Sequence, residues 1–258
     1  MRELTLWTLD WVPEGPRGFV RDLRLRWACE EAGLDYAVRT VPFEDRETNH
    51  LDRQPFGQVP FLKDGDLEIF ESGAGLLHLA HKSDRLMPPD PAGEAETLQW
   101  TIAALNSIEM VTVPWWFLKI TGDANNGLSG WMDKRLGQIE SILSEREWHA
   151  AGRFTVADLL MADVLRVPTV RAFGDRPATE AYVARATGRP KKYELGPWVL
   201  PALRLLAKLR WLRGTKLDPF RFSADRRLER ELLTRYEALL PAEPTYADVL
   251  ERIGDPSD

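Results

Sequence analysis

Gln54-Pro55-Phe56-Gly57-Gln58-Val59-Pro60-Phe61-Leu62 runs into Lys63-Asp64-Gly65-Asp66 and then Ile69-Phe70-Glu71-Ser72. A Val-Pro dipeptide opens a short apolar strand, an Asp-Gly turn follows, and a second strand leads into a Glu-Ser pair and a helix. A proline at a strand start can take the cis form and leave neighbouring backbone groups free to pair with a bound peptide. A Glu-Ser pair at a helix N-terminus can hold a carboxylate. Together these features describe a site for a small anionic peptide.

Outward from this stretch, Leu4 to Leu9 reads as a strand and Asp10 to Gly18 as a loop, broken by Pro13, Gly15 and Pro16. Phe19 to Ala32 reads as a helix with Val20, Leu23 and Trp27 on one face and Gly33 as its C-cap. Tyr36 to Val41 reads as a strand, and Phe43 to Asp52 as polar and irregular or a short helix. Pro60–Lys63 and Leu67–Phe70 form the hairpin, and Glu71 to Lys82 is helical. The order β-α-β-(α)-β-β-α is a compact α/β unit of thioredoxin-like type. Beyond it the strand signal disappears. Helices are expected over Glu94–Lys119 (kinked at Pro114), Trp131–His149, Thr155–Arg166 and Pro177–Thr187. The predicted organisation is residues 1–83 as the α/β domain, 84–93 as a Pro-rich linker, 94–190 as an all-α domain, and 191–258 as an additional helical tail.

With 258 residues and 44% hydrophobic side chains, the chain can bury a sizeable core. The net charge of −6 argues against nucleic acid as the main partner. That charge is uneven, −8 on residues 1–190 and +2 on residues 191–258. A single cysteine, Cys29, excludes a disulfide framework, a thiolate zinc site or an iron–sulfur cluster within one chain, and inside a helix it reads as a core residue. His78 and His81 are three apart on one helix with no third ligand nearby, so no metal site is expected; His50 and His149 carry no motif. No apolar run is long enough to span a membrane and Met1-Arg2-Glu3 opens no signal peptide, so a cytoplasmic location is the expectation.

Residues 1–190 resemble the glutathione S-transferase family. The likeness rests on the 54–72 stretch, on Phe154-Thr155-Val156-Ala157-Asp158, which reads as a helix-opening capping box, and on Tyr182, Arg185, Arg189 and Pro190. It implies glutathione as co-substrate, no metal, a homodimer, and a detoxifying role in which the glutathione thiol attacks a small apolar electrophile or reduces a peroxide. It further implies that the Val59 backbone, set by Pro60, pairs with the cysteinyl part of glutathione. Glu71 would take the γ-glutamyl ammonium, and Ser72 with the helix N-terminus its carboxylate. Gln58 or Arg53 could reach the glycyl end. Trp11, Trp115, Trp116 and Phe117 could line the electrophile pocket or serve as core and interface.

The thiol-activating group departs from the family pattern. A free thiol of pKa about 8.5 needs help to ionise at neutral pH. The family usually supplies a Tyr, Ser or Cys after the first strand or at the first helix N-terminus, and this window has none of the three. Thr8 could donate a hydrogen bond, and Arg17 could stabilise the thiolate by charge. These two are the catalytic candidates. Their atypical character keeps open a second reading, a non-catalytic glutathione-binding or protein-interaction module.

After Pro190 the composition changes. Residues 190–240 resemble the C-terminal segment of indolepyruvate ferredoxin oxidoreductases, through Gly196-Pro197-Trp198, Leu212-Arg213-Gly214-Thr215 and Asp218-Pro219-Phe220. Such enzymes require thiamine diphosphate and iron–sulfur clusters, and one cysteine cannot supply the latter. The segment is read as a fragment without that chemistry.

Overall fold

The first strand, LTLWTL, is buried along almost its whole length because it lies inside a sheet covered on both faces. The computed structural model describes residues 4–13, 16, 18–44, 48–122 and 126–189. β1 (Leu4–Leu9) pairs in parallel with β2 (Ala37–Val41) and antiparallel with β3 (Phe61–Asp64), and β3 pairs with β4 (Leu67–Phe70). The order is β2-β1-β3-β4. Alternation along β1 sends Leu4 and Leu6 into the main core and Trp7 to the other face, where it stacks on Phe61 at 5.1 Å. The Val59–Pro60 bond is cis. This is the thioredoxin-like unit the sequence predicts.

α1 spans Asp22–Ala32 and ends at Gly33 with φ 71°. It starts three residues later than predicted, because the chain before it is held in turns in which Phe19 N–H bonds the Pro16 carbonyl and Leu23 N–H the Val20 carbonyl. Its most buried apolar residues are Leu25, Ala28 and Cys29, while Val20 and Leu23 are only half-buried. Charged Asp22, Arg24, Arg26 and Glu30 are buried on the same helix. α2 (Ser72–Ala80) follows β4 directly.

Helix α3 (Pro91–Ala103) begins inside the stretch read as linker, with Pro91 in the first turn and the Asp90 carboxylate accepting from Gly93 N–H at 2.8 Å. The expected kink at Pro114 takes another form. A π-helical turn, Ala104–Glu109, joins α3 to α4 (Met110–Ile120). It ends just before Met110, whose carbonyl Pro114 leaves without its usual donor. α5 (Ser129–Glu145), α6 (Val156–Leu165), α7 (Pro168–Arg171) and α8 (Pro177–Thr187) complete the helical domain.

Every residue of α6 is buried. Its capping box is formed: Thr155 Oγ1 accepts from Ala157 N–H at 3.3 Å and Asp158 accepts from Thr155 N–H at 3.1 Å. The fully buried Asp158 also accepts from His149 N–H at 2.9 Å and from Tyr182 OH at 3.1 Å. Burial, and then the Asp158 charge, push the Tyr182 phenol well above its ordinary value. His149 is thus part of a core network rather than an isolated side chain.

Candidate functional site

The loop before Pro60 is held by two buried polar side chains. Gln54, 1% exposed, accepts at Oε1 from Phe56 N–H at 2.6 Å and from Gln58 N–H at 3.1 Å. His50 Nε2 lies 3.0 Å from the Gln58 carbonyl, so the proton sits on Nε2, and its ring stacks on Phe61. Sequence reasoning gave His50 no role. Among the described residues, the Val59 backbone N–H and C=O have no hydrogen-bond partner. Val59 therefore offers an open pair of backbone groups beside the sheet. Gln58 is exposed, and Arg53 lies over Trp7 at 5.1 Å.

Glu71 takes φ 69° and ψ 122°, a conformation that costs a non-glycine residue on the order of 1–3 kcal/mol. This turn points the chain from β4 straight into α2. The first intrahelical bond is Gly75 N–H to the Glu71 carbonyl at 2.9 Å, which leaves the N–H groups of Ser72, Gly73 and Ala74 without intrahelical partners. Glu71 is exposed and Ser72 is buried. Gly73 has a packing reason: a Cβ there would meet Leu105 Cδ1 at 2.6 Å.

Beneath Ser72 lies an ionic seam between the two domains. Arg24, 3% exposed, donates to Asp163 at 2.6 Å, to Glu109 at 2.6 and 3.1 Å, and to Ser72 Oγ at 3.4 Å. Arg21 Nε donates to Glu109 at 3.1 Å. Arg166 donates to Asp163 at 2.7 Å and to the Gly18 carbonyl at 2.7 Å, with its guanidinium over the Phe19 ring. Burial raises the pKa of Glu109, but Arg24 and Arg21 more than offset this and hold it below the usual carboxylate range. Burial acts the same way on Asp163, and Arg24 and Arg166 outweigh it. Sequence reasoning missed these residues. The available signal was a single charge inside an apolar run, as at Asp163 in LLMADVL.

Thr8 is buried and donates its hydroxyl proton to Asp22, itself 3% exposed and paired with Arg26 at 2.7 Å. Thr8 can serve a sulfur only by releasing Asp22. Arg17 lies outside the described residues. Asp10 Oδ1 accepts from Trp11 N–H and Phe43 N–H, both at 2.9 Å, and Trp11 packs on Phe43 at 4.7 Å.

A cavity of about 490 Å³ opens between Pro16, Phe19, Arg21 and helices α1, α4, α6 and α7. Phe19, Val113, Trp116 and Val164 form apolar wall, and Arg21 and Glu109 form polar wall. Of the four aromatic residues expected around a pocket, Trp116 lines this one. Trp115 is 4% exposed, packs edge-on against Phe173 and donates to Ser129 Oγ at 3.1 Å. Phe117 faces outward at 58% exposure, and Trp11 does not line the cavity. Three consecutive helical residues span about 200° of the helix, so 115, 116 and 117 cannot share one wall.

Among the described residues, no three His, Cys, Asp or Glu side chains converge as a metal site. His78 pairs with Asp64 at 2.7 Å and His81 with Glu94 at 2.9 Å, two separate contacts. No described helix is long and apolar enough to cross a membrane. The tail resemblance at 190–240 falls outside the described residues.

A family profile of the glutathione S-transferase N-terminal domain matches residues 15–81, and one of a family of unknown function (DUF6537) matches residues 142–253. The chain is 28% identical over 187 residues to glutathione S-transferase F7 of Arabidopsis thaliana, covering 65% of this chain and 90% of that protein. It is 30% identical over 174 residues to glutathione S-transferase 1 of Schizosaccharomyces pombe, covering 62% of this chain and 73% of that protein. A glutathione transferase family member from Pseudomonas fluorescens, solved with two glutathione bound, superposes with a TM-score of 0.63 at 25% identity, over 73% of this chain and 90% of that one.

Proposed function

The chain belongs to the glutathione S-transferase family, and on that footing we propose that it binds glutathione between Val59 and the start of α2 and turns its thiol on a second, apolar substrate. One observation carries this reading. Among the described residues, the Val59 backbone and the N–H groups of Ser72, Gly73 and Ala74 have no hydrogen-bond partner, and they occur in the same α/β unit, the latter presented by the strained turn at Glu71. The Val59 pair takes the cysteinyl peptide. The α2 N-terminus and the Ser72 hydroxyl take the γ-glutamyl carboxylate, with the Arg24 charge behind Ser72. Glu71 takes the ammonium, and Gln58 or Arg53 the glycyl end.

Arg17 carries the proposal for thiolate stabilisation, since the Thr8 hydroxyl is spent on Asp22. In a conjugation, the thiolate forms a bond to carbon and the leaving group departs with its electron pair. In a peroxide reduction, two glutathione molecules yield a disulfide, an alcohol and water. The cavity of about 490 Å³ beside Trp116 receives the second substrate. We also propose a homodimer in the cytoplasm. We read residues 190–240 as an appended segment without iron–sulfur chemistry, because the chain has a single cysteine.

The same commitment of Thr8 to Asp22 favours a second reading, a glutathione-binding or protein-interaction module without turnover. Retention on immobilised glutathione, followed by assay with a panel of electrophiles and peroxides, decides between them. Retention with turnover supports the transferase. Retention without turnover supports the module. No retention refutes both.

A further inference from the structure

The cavity beside Trp116 is lined by apolar and by ionic side chains, and the ionic ones belong to a larger set whose charges do not balance. Arg21, Arg24, Glu109 and Asp163 line the cavity, and Arg166, off the cavity wall, joins them through Asp163, so the connected set holds three guanidiniums and two carboxylates. Arg24 is buried and spent on Glu109, Asp163 and Ser72. Arg166 is spent on Asp163 and the Gly18 carbonyl. The neighbouring Asp22 is spent on Arg26 and Thr8. Thr112, also on the cavity wall, has its hydroxyl on the Glu109 carbonyl at 3.4 Å.

Arg21 differs from the other two. Its Nε bonds Glu109, but among the described residues its two terminal nitrogens have no partner, and its side chain is 42% exposed at the cavity wall. The surplus positive charge of the seam is therefore presented by a half-engaged guanidinium. Such a group has planar donors suited to a carboxylate. In the same cavity, Phe19, Val113, Trp116 and Val164 offer a surface for an aromatic or aliphatic body.

We propose that this cavity selects apolar molecules that carry a carboxylate or similar anion, with the anion on Arg21 and the apolar body against Phe19, Val113 and Trp116. This rests on the reading of the cavity as the second-substrate site, and it names the substrate class as anionic electrophiles, carboxylic acids that carry a leaving group on carbon. Water reaches Arg21, so the selectivity is moderate: about five-fold over a neutral isostere, the upper range for a partly exposed ion pair.

The probes are phenylbutyrate and phenylbutyramide, titrated calorimetrically into the full chain at neutral pH without glutathione. The acid is expected to bind about five-fold tighter, and less so in high salt as the charge is screened. Arg21→Gln is expected to abolish that preference while leaving the amide's affinity unchanged, and Arg21→Lys to restore part of it. An amide that binds as well as the acid, a preference that survives Arg21→Gln, or binding of neither probe overturns the proposal. Retention on immobilised glutathione is read separately. A chain that prefers the acid but ignores glutathione refutes the transferase and keeps this site; the opposite pattern refutes this site alone.

Discussion

Arg24→Met removes the one cation that both buried carboxylates of the interdomain seam share. In the parent, Arg24 is 3% exposed and makes charge-assisted bonds of 2.6 Å to Asp163 and of 2.6 and 3.1 Å to Glu109. Removing one partner of a buried pair costs about 3–5 kcal/mol, because a desolvated charge is stranded. Here each carboxylate keeps a second cation, Arg21 for Glu109 and Arg166 for Asp163. The loss therefore belongs at the lower end, about 3 kcal/mol at neutral pH, which for a chain of this size lowers Tm by roughly 6–12 °C. Acid titration adds a sign. Both carboxylates are held below their ordinary values, so the unfolded chain binds more protons than the folded one. Their stabilisation is present above the ordinary carboxylate range and is lost as pH falls through the folded values. Arg24→Met shrinks that depression, so its stability declines less steeply in acid than the parent's. Urea unfolding at stepped pH from neutral to about 3 measures both effects, reaching below the ordinary carboxylate values. In the Arg24→Met background, Asp163→Asn should also cost less than in the parent, since it then removes a stranded charge. A neutral-pH loss below about 1 kcal/mol, with an unchanged acid limb, would refute the view that the seam is a connected buried network.

Other perturbations separate binding from stability. Glu71→Gly should stabilise the fold by about 1 kcal/mol by releasing the φ 69° strain, yet weaken retention on immobilised glutathione; unchanged retention would remove Glu71 from the site. Thr155→Ala should cost about 0.5–2 kcal/mol in urea unfolding through loss of the α6 cap, with glutathione retention intact at temperatures where the variant is folded. Thr8→Val should destabilise the chain by about 1–3 kcal/mol by leaving the buried Asp22 one donor short; any turnover the parent shows should survive, and its selective loss without destabilisation would return Thr8 to the sulfur.

Most of the fold was legible because its signals are local. The Val-Pro, Asp-Gly and Glu-Ser punctuation places β3, β4 and α2, and the capping box at Thr155 marks the start of α6. The boundaries of β1, β4 and α8 match the sequence reading. The start of α1 was misplaced because Phe19 and Val20 continue an apolar pattern, while the chain there is still in turns. The π-helical turn gave no sign. Buried Thr97, Thr101, Ala104, Ile108, Val111 and Trp115 keep helical spacing straight across it. The ligand-facing backbone was readable for the same local reason as the hairpin. The seam was not, because Arg24, Glu109 and Asp163 lie 85 and 139 residues apart along the chain, and no local pattern announces which distant charges will meet. Likewise, periodicity could not say which of Trp115, Trp116 and Phe117 turns toward the cavity; the packing of α4 decides it.

Gly73 bears on how this chain can be recombined. Its missing side chain leaves room for Leu105 of the helical domain, which would stand 2.6 Å from a Cβ at position 73. A contact of that kind acts as a compatibility rule for chimeras. An α/β half with alanine or anything larger at position 73 can be joined to this helical half only if Leu105 turns its Cδ1 aside or is trimmed at the same time. The reverse graft leaves a hollow unless residue 105 is at least as long as leucine. Libraries that shuffle the two halves should therefore carry positions 73 and 105 as a linked pair, and crossovers that separate them should be depleted among the folded products.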